Sequence, residues 1–433
     1  MAQTGTIDQV TPRDDSQPSR AATMGEVVCH ECGARYARPV LRPGEVAECT
    51  RCGSALLRRP KARLETSLAL TLAGLVLFVV ANAFPFLGLQ IGAEHTEMTL
   101  VIAVQQLWAD GRPDLAAVVA VTTLIAPALQ LLLLLYLLVP LSMNRTPRDL
   151  PQVFSLITRL GPWSMMDVFM LGILVAAIKL ADMATLVVGP ALIAFLCLIF
   201  ALAWAQAALD RQAIWERVPV TLARDSDEIS GEPLECHTCH LAIAPPETRP
   251  KGYLRCPRCL TSLHHRKPQA LGRAWALLIA AMICYVPANV LPIMHTSTLT
   301  GNQSDTIMSG VLFLLHHGMW PIALVIFIAS VFVPLLKIIV LAYLLLSVQL
   351  KVKARPRDRT RLYRMTEGIG RWSMIDVYVV AILVALVHLG NLATVNAGLG
   401  AAFFAAVVIL TMIAAHSFDP RLIWDVVDGH EHA

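Results

Sequence analysis

Eight of the ten cysteines in this chain of 433 residues occur as four Cys-x-x-Cys pairs. The pairs form two sets with the same spacing, Cys-x2-Cys-x16-Cys-x2-Cys. The first set is Cys29, Cys32, Cys49 and Cys52, and the second is Cys236, Cys239, Cys256 and Cys259. Four thiolates at this spacing favour tetrahedral coordination of one metal ion, and four protein ligands leave no open position for catalysis. The sequence therefore predicts two small zinc ribbons and two structural zinc ions per chain.

Two other interpretations of the cysteine sets stay open. Four thiolates also suit a rubredoxin-like iron, and pairs without a metal would be redox dithiols. Each ribbon has only about 30 residues, too few for an apolar core, so the metal is expected to hold its fold together. The remaining two cysteines, Cys197 and Cys284, stand in apolar runs and are interpreted as buried small hydrophobic residues.

Polar residues within apolar segments of the second half form another candidate site. An ionisable group at membrane depth costs several kcal/mol unless it is paired or hydrated. We predict a buried network of Lys337, Asp376, Ser373 and Thr411 that serves as a proton relay or a conformational switch. The alternative is a lysine that snorkels to the membrane surface, beside a carboxylate that stabilises a helix start.

The first half carries a different set of charges in its apolar segments. Lys179 and Asp182 are three residues apart, on one face of a predicted helix, and can therefore pair. Snorkelling of Lys179 is the rival explanation. Asp167, like Asp376, follows a tryptophan near the start of a span, where the helix dipole favours a carboxylate.

Two asparagines near the ends of predicted spans precede prolines. Asn82 is followed by Pro85, and Asn289 by Pro292, each three residues later. Such a proline is expected to kink the helix, while the asparagine amide satisfies a freed carbonyl. The alternative interpretation is a lateral lipid entrance at the kink.

The elements that must position these residues are apolar segments. The chain is 56% hydrophobic and only 15% charged, whereas soluble domains carry about a quarter charged residues. This composition excludes a disordered protein and argues against a soluble enzyme. Eight segments approach or exceed the roughly 20 residues needed to cross a bilayer. They are 66–88, 115–141, 163–188, 190–209, 273–294, 320–347, 372–394 and 396–416.

Basic residues predict the orientation of these spans. The connection 348–371 carries eight lysines and arginines and the connection 142–162 carries three, whereas the loops 89–114 and 295–319 carry only Arg112. The positive-inside rule places the basic connections, both termini and both cysteine sets in the cytoplasm. The first 24 residues contain no apolar stretch, so they are predicted to be a disordered tail rather than a signal peptide.

The chain is an internal repeat. The cysteines recur after 207 positions, and a Trp-Ser-Met-x-Asp-Val box recurs after 209, from Trp163 to Trp372. The predicted fold is therefore an all-α integral membrane protein with eight transmembrane helices, arranged as two tandem four-helix modules, each preceded by a small cytosolic zinc ribbon. The expected divisions are a tail at 1–24, ribbons at 25–65 and 218–270, modules at 66–217 and 271–426, and a tail at 427–433.

These features resemble the paraquat-inducible protein A family of bacterial inner-membrane proteins. The resemblance rests on the tandem cysteine sets, both tryptophan boxes, the segments Ala81–Pro85 and Pro287–Pro292, and the ending Ser417–Trp424. It implies a multi-pass protein that passes phospholipid between the inner membrane and a periplasmic partner, a tunnel built of mammalian-cell-entry domains. The sequence departs from the family pattern in one place, because Ala208–Trp215 is a degraded copy of Ser417–Trp424.

Catalytic and nucleotide-binding motifs are absent from the sequence. It contains no nucleophile elbow, phosphate loop, HExxH or dinucleotide fingerprint. We therefore predict a lipid transport subunit that is not an enzyme and has no nucleotide or nucleic-acid partner. The rival classes are a redox- or metal-sensing membrane stress protein, which iron in the ribbons would favour, and a small-molecule exporter.

Overall fold

The computed structural model describes most of the chain, with several gaps. The described ranges are 26–62, 64–91, 94–147, 149–180, 185–218, 234–236, 238–243, 255–264, 266–298, 301–370, 374–386 and 393–429. The predicted tail at 1–24 lies outside them.

The first half begins with two antiparallel hairpins and continues with helices and one three-stranded sheet. Its strands are β1 (Glu26–Val28), β2 (Arg35–Ala37), β3 (Val46–Glu48), β4 (Ala55–Arg58), β5 (Leu87–Ile91), β6 (Glu94–Met98) and β7 (Thr185–Val188). Its helices are α1 (Leu64–Ala83), α2 (Leu100–Ala109), α3 (Pro113–Val119), α4 (Ala126–Ser142), α5 (Leu150–Leu160), α6 (Met166–Leu180), α7 (Pro190–Ala208) and α8 (Arg211–Glu216). β1 pairs with β2 and β3 with β4, and β5 lies between β6 and β7.

The second half repeats this order. Its strands are β8 (Leu234–Glu235), β9 (Ala242–Ile243), β10 (Met294–Thr298), β11 (Gly301–Asp305) and β12 (Ala393–Ala397). Its helices are α9 (Ala270–Val290), α10 (Ile307–His316), α11 (Trp320–Phe327), α12 (Val333–Gln349), α13 (Pro356–Ile369), α14 (Ile375–Leu386), α15 (Leu399–Ser417) and α16 (Arg421–Asp428). Here β10 is the central strand, between β11 and β12. We call the end of the bundle that carries the cysteine hairpins the ribbon end, and the end that carries the two sheets the sheet end.

Among the described residues, six helices are long and apolar enough to cross a membrane. They are Leu64–Ala83, Pro113–Ser142, Pro190–Ala208, Ala270–Val290, Ala323–Gln349 and Leu399–Ser417. A helix that is apolar on all faces is stable only when lipid or protein surrounds it. The chain is therefore built to lie in a bilayer.

The segments predicted as the third and seventh spans contain shorter helices. The described residues of α6 number 15 and those of α14 number 12, and residues 181–184 and 387–392, which follow them, lie outside the described ranges. β7 and β12 follow them and join the sheets. The all-α prediction was therefore wrong at the sheet end. Residues such as Thr185, Val187 and Val188 are β-branched and suit a strand, but the apolar count alone placed β7 inside a span.

Each of the two longest apolar helices contains a widened turn. These turns, with i→i+5 bonding, lie at 120–125 and 328–332. Each comes just before a proline, Pro127 or Pro334, whose ring has no N–H to donate. The Thr123 hydroxyl, within the first of these turns, donates to the carbonyl of Val119, the residue just before the turn, at 2.7 Å.

The two halves meet through α6 and α14. Tyr378 is fully buried there, with its ring 5.3 Å from that of Phe169 at an angle of 88°. Its hydroxyl donates to Thr122 Oγ1 at 2.8 Å. A Cβ on Gly172 would lie 2.8 Å from Tyr378 Cβ, so this glycine allows the helices to approach closely. The helices that follow the two tryptophan boxes thus form the seam between the halves.

The chain that returns from each sheet passes very close to the end of the preceding span. Gly189 N–H donates to Phe86 O at 3.2 Å, and Gly398 N–H donates to Ile293 O at 2.7 Å. A Cβ at these positions would lie 2.0 Å from Pro85 O and 2.2 Å from Pro292 O. Only glycine fits at either position.

Pro85 and Pro292 do not kink a helix, contrary to the sequence-based expectation. α1 ends at Ala83 and α9 at Val290, so both prolines lie just beyond a helix end. Because the chain turns there to begin a sheet, the prolines end the helices rather than bend them.

Replacing Gly189 or Gly398 with alanine is expected to lower the stability of the protein by about 1–3 kcal/mol, because the methyl group would overlap a backbone oxygen. Thermal unfolding of the purified protein, followed by tryptophan fluorescence, measures the effect. Gly272→Ala is the control, because a Cβ there has no neighbour within 4 Å and alanine favours the helix. Equal melting temperatures for all three variants would contradict the close approach.

Candidate metal centres and polar sites

The first cysteine set is held by two tight turns at the ends of β1 and β3. In each Cys-x-x-Cys knuckle, the residue after the second cysteine donates its N–H to the carbonyl of the first cysteine. Gly33 donates to Cys29 and Gly53 to Cys49, both at 2.8 Å. These glycines have φ of 74° and 72°, a left-handed conformation that glycine adopts without strain.

The second ribbon makes the same turns with residues that have side chains. His240 N–H donates to Cys236 O and Leu260 N–H to Cys256 O, again at 2.8 Å. Their φ values are 53° and 61°. Because a left-handed conformation is unfavourable for residues other than glycine, the second knuckles depend more on an external constraint than the first.

The sulfur atoms of each set are spaced for a metal ion. In the first ribbon, Cys29 Sγ lies 3.5 Å from Cys52 Sγ, and Cys32 Sγ lies 3.5 Å from Cys49 Sγ. In the second ribbon the corresponding distances are 3.3 and 3.5 Å. All four sulfurs of a set lie within 4.8 Å of one another, and all eight cysteines are buried. A disulfide needs about 2.05 Å, whereas tetrahedral zinc with Zn–S of about 2.3 Å separates its sulfurs by roughly 3.8 Å. Both sets therefore fit a four-thiolate metal ion.

Electrostatics also favours a cation at these sites. Contacts with the thiols of Cys29, Cys49 and Cys52, followed by burial, raise the pKa of Cys32. Crowded thiols resist further ionisation, because like charges in a buried cluster repel. A metal ion reverses this balance and deprotonates its ligands. Ser54 Oγ lies 3.0 Å from Cys29 Sγ and 3.1 Å from Cys52 Sγ, where it stabilises thiolates.

The first ribbon is attached to the second half of the chain by Arg364 of α13. Its guanidinium donates to the carbonyls of Cys52 at 2.5 Å and Gly53 at 3.1 Å. Its Nε also lies 3.0 Å from Glu31 Oε2. Burial raises the pKa of Glu31 to about 7, while Arg364 acts to lower it. One arginine therefore binds both knuckles of this ribbon.

Neighbouring arginines extend this attachment. Arg357, also on α13, donates to the carbonyls of Arg51 at 2.7 Å and Thr50 at 3.2 Å. Arg51 in turn pairs with Asp428 and stacks 4.5 Å from the centre of the Trp424 ring. The first ribbon therefore lies against both α13 and α16.

α16 and the segment before it also hold the second ribbon. Arg266 Nε donates to Asp425 Oδ2 at 2.7 Å, and Lys267 N–H donates to Asp419 Oδ2 at 3.1 Å. Arg421 donates to His30 O at 3.0 Å in the first ribbon. The ending Ser417–Trp424 therefore belongs to the junction of both ribbons.

Lys337 and Thr411 of the predicted polar network are in contact. Lys337 is buried, and its Nζ donates to Thr411 Oγ1 at 3.0 Å and to Gly370 O at 3.5 Å. Within the described part of the chain Lys337 has no ion-pair partner. Ser373 and the side chain of Asp376 lie outside that part.

The structure describes some of the remaining polar candidates but not all of them. Asp167 is exposed at the start of α6. Lys179 lies near the end of α6, and both its side chain and Asp182 are outside the described residues. Gln130, the repeat equivalent of Lys337, is buried, and its Oε1 has no hydrogen-bond partner among the described groups.

The two asparagine amides bond to their own helices. Asn82 Nδ2 donates to Phe78 O at 2.8 Å, and Asn289 Nδ2 donates to Tyr285 O at 2.9 Å. Each amide thus bonds a carbonyl in the last turns of its helix. The lipid entrance at these positions stays a prediction.

Sequence reasoning also misjudged some residues. Arg359 is one of the eight basic residues counted in the connection 348–371, yet its side chain is buried and donates to Val352 O at 2.7 Å. Cys197 was interpreted as buried, but it is exposed, and Cys284 is only partly buried. Neither apolar context nor charge counting indicates which face of a helix meets its neighbours.

Comparison with known proteins identifies the family. The sequence model described as Paraquat-inducible protein A matches residues 64–219 and 271–428. The chain belongs to this family. It is 34% identical to "Intermembrane transport protein PqiA" of Escherichia coli K12 over 417 residues, which cover 94% of this chain and 97% of that protein.

Other members of the paraquat-inducible protein A family are also similar. "Lipophilic envelope-spanning tunnel protein A" of Escherichia coli K12 is 31% identical, covering 92% of this chain and 90% of the relative. "Probable intermembrane transport protein" of Haemophilus influenzae Rd is 28% identical, covering 92% and 96%. No solved structure matches the chain significantly.

Replacing Arg364 with glutamine is expected to loosen the first ribbon, because hydrogen bonds from a charged donor contribute about 1.5–3 kcal/mol. Hydrogen exchange at residues 49–54 should accelerate at least about tenfold, the factor for 1.4 kcal/mol. Arg361→Gln removes an exposed arginine from the same helix and is the control. Equal exchange in the two variants would show that Arg364 does not hold the ribbon.

Proposed function

We propose that this chain is the inner-membrane subunit of an envelope phospholipid transport system. In this proposal it passes lipid between the inner membrane and a periplasmic tunnel protein built of mammalian-cell-entry domains. The match over 94% of the chain to a protein named for intermembrane transport carries the proposal. A second relative, named as a lipophilic envelope-spanning tunnel protein, supports lipid as the substrate.

We further propose eight membrane crossings in two modules, 66–217 and 271–426, with both ribbons and both termini in the cytoplasm of a bacterium. The sheet pairing supports the third and seventh crossings. β7 pairs with β5, which follows α1 at the sheet end, and α7 then returns to the ribbon end. The eight lysines and arginines of 348–371 favour a cytoplasmic ribbon end. Labelling of Lys353→Cys from the periplasm would contradict this orientation.

The lipid proposal is tested by affinity purification of the full chain from its native membrane. Mass spectrometry of the eluate is expected to find phospholipid in stoichiometric amount, together with a periplasmic protein that contains mammalian-cell-entry domains. An unrelated multi-pass protein with the same tag controls for annular lipid. Recovery of neither component above that control would count against the proposal.

We propose that each ribbon binds one zinc ion through its four thiolates, which gives two per chain, with iron as the less favoured metal. The buried sulfur clusters support a structural ion. Zinc would supply the positive charge that lets four neighbouring thiols ionise, and it would fix the two knuckles of each ribbon in register. The ribbons would then act as rigid cytosolic scaffolds.

Elemental analysis of the purified protein is therefore expected to give two zinc ions per chain. Cys29→Ser and Cys236→Ser should each lower this number to about one and reduce protein abundance, because the metal supplies most of the ribbon's stability. Cys197→Ser, outside both clusters, should retain two ions. Stoichiometric iron, or less than one zinc per chain, would refute the zinc assignment.

We also propose that Lys337, Thr411, Asp376 and Ser373 form a polar network that acts as a proton relay or conformational switch during transport. The bond between Lys337 Nζ and Thr411 Oγ1 at 3.0 Å supports it. An ammonium at this depth is costly without a charged partner, and Asp376 is the carboxylate proposed for that role. Lys179, Asp182 and Asp167 would form the corresponding set in the first half.

Lys337→Ala and Asp376→Ala should each abolish rescue of a detergent-sensitive deletion strain, while the double variant should be no worse than either single variant. Thr411→Val should also impair rescue. Thr366→Val is the matched control, because the Thr366 hydroxyl bonds only within its own helix, to Leu362 O at 2.9 Å. Immunoblotting checks abundance. Full rescue by Lys337→Ala at normal abundance would favour a snorkelling lysine.

A further inference from the structure

A cavity lies where the two ribbons meet the ribbon end of α7. Its volume is about 290 Å³, at the lower limit of small-molecule sites. Its basic lining residues come from three parts of the chain. Arg38 and Arg58 belong to the first ribbon, Arg211 to α8, and Arg258 to the second ribbon. No carboxylate is among the described residues that line it.

Among the described residues that line the cavity, no acidic side chain balances Arg58, Arg211 and Arg258. Arg258 Nε is buried and has no hydrogen-bond partner among the described groups. The side chain of Arg211 is exposed, and no carboxylate of the described residues pairs with it. The nearby Glu235 already has partners, since its Oε1 lies 2.8 Å from His240 Nδ1 and its Oε2 lies 3.9 Å from Arg421 Nη2.

The same cavity has an apolar wall close to the membrane surface. Leu209 lines it directly after α7, which ends at Ala208, and Trp215 lines it from α8, while Val27 and Leu57 line it from the first ribbon. Several guanidinium groups beside apolar side chains suit an amphiphilic anion. Guanidinium groups bind phosphate oxygens in pairs, with geometric specificity that an ammonium lacks.

We propose that this cavity between the ribbons binds a phosphate group at the ribbon end of the bundle. The phosphate belongs either to the headgroup of an anionic phospholipid or to a soluble phosphate compound. The site is separate from the proposed polar network, since neither Lys337 nor Thr411 lines it. Its occupant would join the two ribbons and α8 by neutralising charges that all three contribute.

Binding to the full-length protein in detergent is measured by microscale thermophoresis with three probes. They are dioctanoyl phosphatidylglycerol, dioctanoyl phosphatidylcholine and inorganic phosphate. We expect Arg58→Gln combined with Arg211→Gln to weaken binding of the anionic probe at least about tenfold, and added salt to weaken it further. Arg42→Gln combined with Arg361→Gln removes the same charge from exposed positions outside the cavity, and should leave the affinity within about twofold.

The probes distinguish the two sources of phosphate. Preference for phosphatidylglycerol, without competition from inorganic phosphate, would assign the cavity to a lipid headgroup. Competition by inorganic phosphate would assign it to a soluble compound. Arg58→Lys combined with Arg211→Lys keeps the charges and should recover part of the affinity if the fold is intact. No binding to the unmodified protein, or equal affinity in both glutamine variants, would overturn the proposal.

Discussion

The carbonyl groups of the first ribbon's second cysteine knuckle accept hydrogen bonds from arginines of the second half. Arg364 bonds Cys52 O and Gly53 O, and Arg357 bonds Arg51 O and Thr50 O. The same turn presents Cys49 and Cys52 to the four-sulfur cluster. The contact between the first ribbon and α13 therefore depends on the turn that also positions two of the candidate metal ligands. A ribbon that begins one half of the repeat thus stabilises the other half.

Duplication explains the similarity of the halves but not their differences. The knuckle glycines Gly33 and Gly53 are replaced by His240 and Leu260 in the second ribbon, in the same left-handed conformation. Asp210 only caps α8 through Ala213 N–H, whereas its equivalent Asp419 also accepts the N–H of Lys267 from the second ribbon. Among the described residues, Ala208–Trp215 therefore lacks a contact with a ribbon that its counterpart Ser417–Trp424 makes. In the described part of the chain, the ending of the second half bonds residues of both ribbons, Lys267 and His30, which makes the ribbon end asymmetric.

The cysteine spacing and the repeat offset were sufficient to predict both sulfur clusters. The reason is that cysteines separated by two residues form the same turn in both ribbons. Apolar length was sufficient for six helices, but it did not reveal the strands β7 and β12 that follow α6 and α14. The strand β5 was missed although Leu87, Leu89 and Ile91 alternate with Gly88 and Gln90 as in a strand, because the segment was divided between a predicted span and a loop. Its pairing with β7 joins residues about a hundred positions apart. The basic cavity could not be predicted for a similar reason. Its arginines come from three segments, and only the packing of the ribbons brings them together.

The buried lysine is the clearest difference between the halves at membrane depth. Gln130 occupies the equivalent position, so the helix packing itself does not require a charge there, and burying an ammonium costs free energy that a neutral amide avoids. Lys337 donates to Gly370 O, directly after α13, and Arg364 on the same helix binds the first ribbon. A shift of α13 would therefore change the surroundings of Lys337 and the attachment of the ribbon together. The charged position lies in the half to which the first ribbon is attached, so α13 connects the first four-cysteine cluster with the buried lysine.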